Sequence, residues 1–173
     1  IVGASMGGMI AQIFAARFPQ RTAGLGIIFS SNHSALLPPP APKALLALIR
    51  GPHPSSPREV IVENSVRVSK IIGSPAYQKS DAQLRADAAE TYDRCFYPQG
   101  FGRHFSAILG SGSLKRYDTR ITAPTVVIHG RADRLMRPAG GRAIAGAIPA
   151  ARLVLFDGLG HDPPEPLWDD IVS

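Results

Sequence analysis

The sequence is poor in the residues that disulfide-bonded proteins and metal sites require. Cys95 is the only cysteine among 173 residues, so no disulfide forms within the chain. None of the five histidines stands four residues from another, the spacing that places two zinc ligands on one helix face. The glycine-rich segments match neither the phosphate-binding G-x-x-x-x-G-K-S/T loop nor the dinucleotide pattern G-x-G-x-x-G. We therefore expect no metal ion and no other cofactor.

Charged residues and long apolar runs are also scarce. Charged residues make up 18% of the chain, and no run approaches the roughly 18 apolar residues that span a bilayer. An excess of Lys and Arg gives a net charge of +6, but these residues are scattered and form no basic stripe interleaved with aromatic residues. We therefore expect a solvated surface, with neither nucleic acid nor a membrane as a partner. The oligomeric state and the localisation stay open, with the cytoplasm favoured.

A G-x-S-x-G pentapeptide, Gly3-Ala4-Ser5-Met6-Gly7, stands at the start of the chain. An apolar pair, Ile1-Val2, precedes it, and a helix-patterned run, Gly8–Phe18, follows it. Strand, sharp turn and helix form the context in which this motif presents a serine hydroxyl at the top of a sheet. The pattern therefore predicts a nucleophile elbow centred on Ser5.

The geometry of such an elbow leads to three further expectations. The backbone of Ser5 should be strained, as is usual where a sharp turn exposes a nucleophile. We expect glycine at Gly3 and Gly7 because a side chain would collide across so tight a turn. The N–H of Met6 should point to the place where an oxyanion forms, so Met6 is the predicted oxyanion donor.

Two later strands end in loops that carry an aspartate and a histidine. The β-branched run Pro124–Gly130 predicts a buried parallel strand, and Asp133 follows it directly. A second strand, Ala151–Phe156, leads into the loop of His161. Pro138–Ile148 fits one crossover helix between these strands. Asp133 and His161 therefore lie at the carboxyl edge of the sheet, where ligands bind in open α/β folds.

Other aspartates could be the partner of His161, and other histidines could be the base. Asp157 and Asp162 flank it in the sequence. They lie too close along the chain to face the imidazole as a residue from a neighbouring strand end can. His129 is expected to be structural, as the end of a buried strand. The remaining three histidines match no catalytic pattern, so only His161 has a catalytic context.

In these three motifs the chain resembles the α/β-hydrolase family, in the group of esterases, lipases and aminopeptidases. More narrowly it is similar to small-molecule esterases of the aclacinomycin methylesterase type. The resemblance implies an α/β-hydrolase fold, a mostly parallel sheet with a helical cap. It implies that Ser5 is the nucleophile, His161 the general base and acid, and Asp133 the carboxylate on His161. It also implies a small-molecule ester as substrate, cleaved through an acyl-enzyme without a cofactor.

Several activities share this set of residues. A serine at the elbow excludes the epoxide-hydrolase and dehalogenase branches, which use aspartate there. An aminopeptidase, a C–C bond hydrolase and a cofactor-free perhydrolase stay open, because they differ from an esterase in the pocket. A ligand-binding relative that keeps the triad with slow or no turnover is the alternative from outside the enzymes.

The order of the motifs divides the chain into three parts. Residues 1–30 and 118–173 are predicted to form the hydrolase core, and residues 31–117 a helical cap insertion. The family has about eight strands, and we find only four, so we expect a fragment without the N-terminal strands. The early loop that supplies a second oxyanion N–H would then be missing. We expect these residues, expressed alone, to be insoluble or molten and inactive.

The predicted insertion begins with a proline-rich stretch, Pro38–Pro42, and continues with helical signals. Helices are expected over Lys43–Arg50, from a Ser56-Pro57 start to Ile72, from a Ser80 capping box onward, and near Phe101–Leu109. Six aromatic side chains of the insertion suggest an apolar pocket, although we expect most of them to form its own core: Tyr77, Tyr92, Phe96, Tyr97, Phe101 and Phe105.

Overall fold

All four predicted strands are present and form one parallel sheet in a computed structural model that describes residues 1–149 and 151–172. The strands stand in chain order across the sheet: β1 (Val2–Ala4), β2 (Leu25–Ile28), β3 (Thr125–Gly130) and β4 (Arg152–Phe156). The register pairs Gly3 with Ile27, Ile27 with Val127, and Val127 with Leu153. The predicted α/β class and the parallel sheet are confirmed.

The part of the chain that the structure describes contains eight α-helices. They are α1 (Met6–Arg17), α2 (Pro42–Ile49), α3 (Arg58–Ile72), α4 (Asp81–Arg94), α5 (Pro98–Ser111), α6 (Lys115–Asp118), α7 (Pro138–Ala147) and α8 (Trp168–Val172). Short 3₁₀ turns cover Pro19–Arg21 and Glu165–Leu167. The crossover helix α7 begins at Pro138 as predicted, because proline at the first position lacks only an N–H that would have no partner there. The short helix α6 was not among the predicted helices.

The core lies on one face of the sheet, beneath α1 and α7. Ile27 and Val127, neighbours in the register, are fully buried there. Alanines at positions 11 and 15, one turn apart on α1, let the helix backbone lie close to these strands. Ile144 of α7 completes the cluster. On the opposite face the side chains are less covered, and Val2 at the edge strand is 72% exposed.

The insertion helices begin and end near their predicted positions, with one difference at a cap. Ser80 caps α4 as predicted, since its hydroxyl accepts the N–H of Gln83 while the Gln83 side chain accepts the N–H of Ser80. The predicted cap of α3 by Ser56 is wrong. That helix begins one residue later, with Pro57 at its N-cap and no side-chain cap.

The expected aromatic core of the insertion is not present. Phe96, Tyr97 and Phe101 are exposed, and neither α4 nor α5 buries any of its residues, all of which the structure describes. The buried residues of the insertion helices are small or β-branched instead: Ala44, Ala47, Val62 and Val66. Aromatic spacing on one helix face predicts which residues lie together, but a core also requires a second apolar face to cover them.

The two ends of the insertion meet in a buried polar pair. The Asn32 amide donates to Asp118 Oδ2 at 2.8 Å, and the Leu114 N–H donates to the Asn32 carbonyl at 2.7 Å. The other carboxyl oxygen of Asp118 has no hydrogen-bond partner among the described residues. Burial raises the pKa of Asp118 to about 6, and the hydrogen bond from Asn32 opposes this only in part. The junction between insertion and core thus contains a carboxyl group that binds its proton more tightly than an exposed carboxyl does.

Among the described helices, each is too short or too polar to cross a bilayer.

Candidate active site

Ser5 lies at the turn between β1 and α1 in a strained conformation. Its φ is 52° and its ψ is −121°, outside the regions that a residue with a Cβ favours. Serine at the N-cap of a helix usually caps it, but the Ser5 hydroxyl makes no such bond. The Ser5 carbonyl instead accepts the N–H groups of Gly8 and Met9 and the hydroxyl of Ser30. The turn is held by its backbone, and Oγ is left for another partner.

The glycines of the motif have different roles from those expected. A Cβ on Gly3 would lie 2.3 Å from the Gly7 carbonyl oxygen, so Gly3 is required as predicted. A Cβ on Gly7 would meet nothing within 4 Å, so the predicted collision at Gly7 is wrong. The second crowded position is Gly8, where a Cβ would lie 2.6 Å from Cβ of Ser30. Glycine is therefore required at position 8 by a contact with the residues just after β2 and not by the turn itself.

The three predicted residues Ser5, His161 and Asp133 lie in one hydrogen-bonded row. The Ser5 hydroxyl is 3.0 Å from His161 Nε2, and His161 Nδ1 is 2.8 Å from Asp133 Oδ2. The side chain of His161 is 8% exposed and that of Asp133 is fully buried. With Nδ1–H donating to the carboxylate, Nε2 has its lone pair toward the serine hydroxyl. This geometry suits removal of a proton from Ser5.

Asp133 is held by both of its oxygens. Oδ1 accepts the N–H groups of Leu135 and Met136, each at 2.9 Å, which fixes the loop after β3. Oδ2 accepts from His161 and lies 3.5 Å from Nε2 of His129. Burial raises the pKa of this carboxyl, but its interactions with the two imidazoles outweigh burial and hold the pKa below its usual value. The carboxylate therefore stays ionised at neutral pH.

The neighbouring aspartates have other partners. Asp157 forms an exposed ion pair with Arg131, and Asp162 accepts a hydrogen bond from Ser74. The carboxyl group facing His161 is therefore that of Asp133.

Met6 is the first residue of α1. Its N–H is one of the four that an α-helix leaves without an intrahelical acceptor. Of the N–H groups that follow it in the first turn, those of Gly8 and Met9 donate to the Ser5 carbonyl. The Met6 N–H is thus placed beside the nucleophile, at the positive end of a helix dipole.

Three contacts around the row are not predicted by any pattern in the sequence. Phe29, whose backbone φ is 34°, packs its ring on the imidazole of His161 with 4.9 Å between ring centroids. His129 is buried as predicted, but its Nε2–H also donates to the Met136 carbonyl at 2.6 Å and so holds the loop of Asp133. Ser74 contacts the loop of His161. The only sequence signal was the four-residue spacing of His129 and Asp133.

Two cavities adjoin the row from different sides. One, of about 380 Å³, is lined by Ser5 and by apolar side chains that include Leu45, Leu48, Phe105 and Met136. His33 also lines it, and burial lowers the pKa of that imidazole. The other, of about 740 Å³, is lined by His161 and by the end of α3. Of the insertion aromatics, Phe105 reaches the first cavity and Tyr77 the second.

Within residues 1–149 and 151–172, no group of three or more His, Cys, Asp or Glu side chains is arranged to hold a metal ion.

Comparison with known proteins relates most of the chain to one family. The sequence profile described as Serine aminopeptidase, S33 matches residues 1–164. A 2-hydroxy-6-oxononadienedioate/2-hydroxy-6-oxononatrienedioate hydrolase from Cupriavidus pinatubonensis is 30% identical over 164 residues. That match covers 93% of this chain and 55% of the relative, so the chain spans about half the relative's length.

Solved structures show the same fold. The meta-cleavage product hydrolase CumD from Pseudomonas fluorescens IP01 superposes with a TM-score of 0.67 at 22% identity, covering 93% of this chain and 57% of that one. The enol-lactonase from Burkholderia xenovorans LB400 gives 0.65 at 20% identity, covering 92% and 57%. The four parallel strands and the helices around them are thus an arrangement that known hydrolases share.

Proposed function

This chain belongs to the Serine aminopeptidase, S33 family of α/β-hydrolases, and we propose that it cleaves small carboxylic esters through an acyl-enzyme. The observation that carries the proposal is the row of hydrogen bonds from Ser5 through His161 to Asp133, 3.0 and 2.8 Å long. A serine hydroxyl becomes an effective nucleophile when a base within hydrogen-bond reach is itself oriented by a carboxylate.

In the proposed reaction, Ser5 Oγ adds to the acyl carbon while His161 Nε2 takes its proton. The negative charge on the carbonyl oxygen is stabilised by the Met6 N–H. His161 then protonates the departing alkoxide, which leaves the acyl group on Ser5. Water, losing a proton to His161, hydrolyses this ester and restores the hydroxyl. Asp133, ionised throughout, stabilises the imidazolium that forms twice in the cycle.

The cavity beside Ser5 supports a substrate with an apolar acyl group. Its walls are mainly aliphatic, with Leu45 and Leu48 of α2 on one side and Met136 on the other. Phe105 and Ile108 of α5 also line it. An apolar pocket of this size favours the burial of an acyl chain by the hydrophobic effect and discriminates weakly between chains that differ by one methylene.

The direct test uses the full-length protein with nitrophenyl esters of graded acyl length and a fluorophosphonate label. We expect turnover and labelling in the wild type. Ser5→Ala should lower kcat by about 10⁶-fold and abolish labelling, because no other group takes the role of the nucleophile. Ser65→Ala, the same change at a half-buried serine in the middle of α3, is the matched control and should behave as wild type. Labelling that persists in Ser5→Ala would identify a different nucleophile.

Hydrolysis of a carbon–carbon bond is the second candidate. It is favoured by the 30% identity to a protein named as a 2-hydroxy-6-oxononadienedioate hydrolase, because a substrate of that name has no ester bond. The two activities share the triad, and they are separated by comparing kcat/KM for a nitrophenyl ester with that for a 2-hydroxy-6-oxo-dienoate. A larger kcat/KM for the dienoate would replace the ester proposal. Aminoacyl nitroanilides in the same assay test the aminopeptidase alternative, and a protein that neither turns over nor labels is a binding relative.

A further inference from the structure

The end of α3 and the residues that follow it lie directly against the loop of His161. We call this segment, residues 72–76, the clasp, and residues 158–162 the histidine loop. The His161 N–H donates to the Ile72 carbonyl at 2.8 Å, and the Ala76 N–H donates to the Gly158 carbonyl at 3.3 Å. The clasp belongs to the predicted insertion, so the loop that carries the proposed catalytic base is bonded to a part of the chain outside the sheet.

The clasp and the histidine loop are in close contact at two glycines of the loop. A Cβ on Gly160 would lie 2.3 Å from the Gly73 carbonyl oxygen. A Cβ on Gly158, whose φ is 69°, would lie 2.3 Å from the Ala76 Cβ. Two backbones therefore approach as closely as glycine allows. At these two points no gap can absorb a shift of the clasp, so such a shift is transmitted to the histidine loop.

Ser74 is the side chain that joins the two segments. It is 3% exposed. Its hydroxyl accepts the Gly160 N–H at 2.9 Å and donates to the Asp162 carboxylate. It thus holds the residue before His161 and the residue after it. Together with the bond to Ile72, this leaves the backbone of His161 little freedom of its own.

The other contacts of His161 hold only its ring. Asp133 binds Nδ1, and Phe29 packs on one face. On the core side, the histidine loop is bonded through the Leu159 carbonyl, which accepts the Ala132 N–H at 3.0 Å. The position of the His161 backbone, and with it the separation of Nε2 from Ser5 Oγ, therefore depends on the clasp.

We propose that Ser74 is a positioning residue, which acts through the histidine loop to hold His161 at the distance and angle that proton transfer from Ser5 requires. The proposal rests on the proposed function of His161 as the base. The 740 Å³ cavity lies at this point, lined by Ser74 and His161 together. A molecule that enters it contacts the clasp as well as the base, so its fit bears on catalysis as well as on binding.

The first test compares serine variants in the full-length protein. Ser74→Ala should lower kcat by about 10- to 100-fold, with little change in KM, since misplacement of a reacting group by less than an ångström costs that much in rate. Ser65→Ala is the matched control. Its hydroxyl donates to the Ile61 carbonyl on the same helix and does not touch the histidine loop. A kcat for Ser74→Ala equal to that of Ser65→Ala would overturn the proposal.

A second pair of variants tests the same bond from its other end. Asp162→Asn keeps an oxygen that accepts from Ser74, whereas Asp162→Ala removes it. We expect Asn to retain most of kcat and Ala to lose about as much as Ser74→Ala. Equal kcat values for the Asn and Ala variants would contradict a role for this hydrogen bond. This pair tests the hydrogen bond between Ser74 and Asp162 even if Ser74→Ala does not fold.

A spectroscopic readout separates this proposal from the proposed function. The Nδ1 proton of His161, held by Asp133, should give a low-field imidazole resonance, assigned by its loss in His161→Asn. Ser74→Ala should broaden or shift it, and Ser65→Ala should not. If the wild type neither turns over esters nor labels, the proposed function fails. The resonance still decides the role of Ser74: a change supports it, and an unchanged line in Ser74→Ala overturns it.

Discussion

Helices α1 and α4 are similar in length but are stabilised in opposite ways. α1 has 12 residues and buries six of them, mostly alanine and glycine, against the sheet. α4 has 14 residues, all described by the structure, and none of them is buried. It is attached to its surroundings by exposed ion pairs, among them Arg85–Glu63 and Arg58–Asp93. The core is held by apolar burial, and the outer insertion by local and surface interactions.

The difference has a consequence for stability and motion. Burial of apolar surface contributes most of the folding free energy, whereas exposed ion pairs contribute little and are screened by salt. Segments with few buried contacts open at a smaller cost in free energy than the core does. We therefore expect α4 to exchange its amide protons before α1 does. The clasp is the part of the insertion that contacts the core-side loop of His161.

The largest expected effect is in the core. Ile27→Ala removes a fully buried side chain from the centre of the sheet, so we expect it to lower the free energy of unfolding by about 2–5 kcal/mol. Ile49→Ala is the matched change in the insertion. Ile49 is about half exposed, and its loss should cost about 1 kcal/mol or less. Urea unfolding measures the free energy of unfolding of both variants. Equal losses in the two variants would contradict the difference between core and insertion.

The second effect is at the junction of the two regions. The Asp118 pKa rises from 3.8 to about 6 on folding, so the folded state binds the proton more tightly. Its stabilising effect is complete below about pH 4 and is lost as the pH rises through 6, a change of about 3 kcal/mol.

Asp118→Asn removes this titration, and the difference between the two proteins isolates it from other carboxyl groups. Relative to the wild type, the free energy of unfolding of Asp118→Asn should rise between about pH 4 and about pH 7. Thermal or urea unfolding at both pH values checks this. A difference between variant and wild type that does not depend on pH would show that Asp118 has an ordinary pKa.

The smallest effect is within the insertion and compares two helix starts. Ser80 caps α4, so Ser80→Ala should lower the free energy of unfolding by about 1 kcal/mol. Ser56 precedes α3 without capping it, and Ser56→Ala should leave stability unchanged. Circular dichroism melts of the two variants make the comparison. A larger loss for Ser56→Ala would reverse our assignment of the two caps.

Much of the fold and of the candidate site could be predicted from the sequence because the signals are local. The strained turn at Ser5 depends on a glycine two residues away and on the strand and helix on either side. The strand before Asp133 is indicated by a β-branched run that ends in glycine, and the strand before His161 by a short apolar run. The capping box of Ser80 needs only a partner three residues on. Interactions over so few residues are similar in every fold, so a pattern is sufficient to predict them.

Only the tertiary structure decided which residues surround these elements. Gly8 is required because Ser30, just beyond the end of another strand, lies against it, whereas nothing lies against Gly7. Three aromatic residues of the insertion, Phe96, Tyr97 and Phe101, are exposed because no second apolar face covers them. Ser74 holds a loop 86 residues further along the chain. Contacts at such separations depend on how whole elements pack, and the spacing of residues in the sequence contains no measure of that.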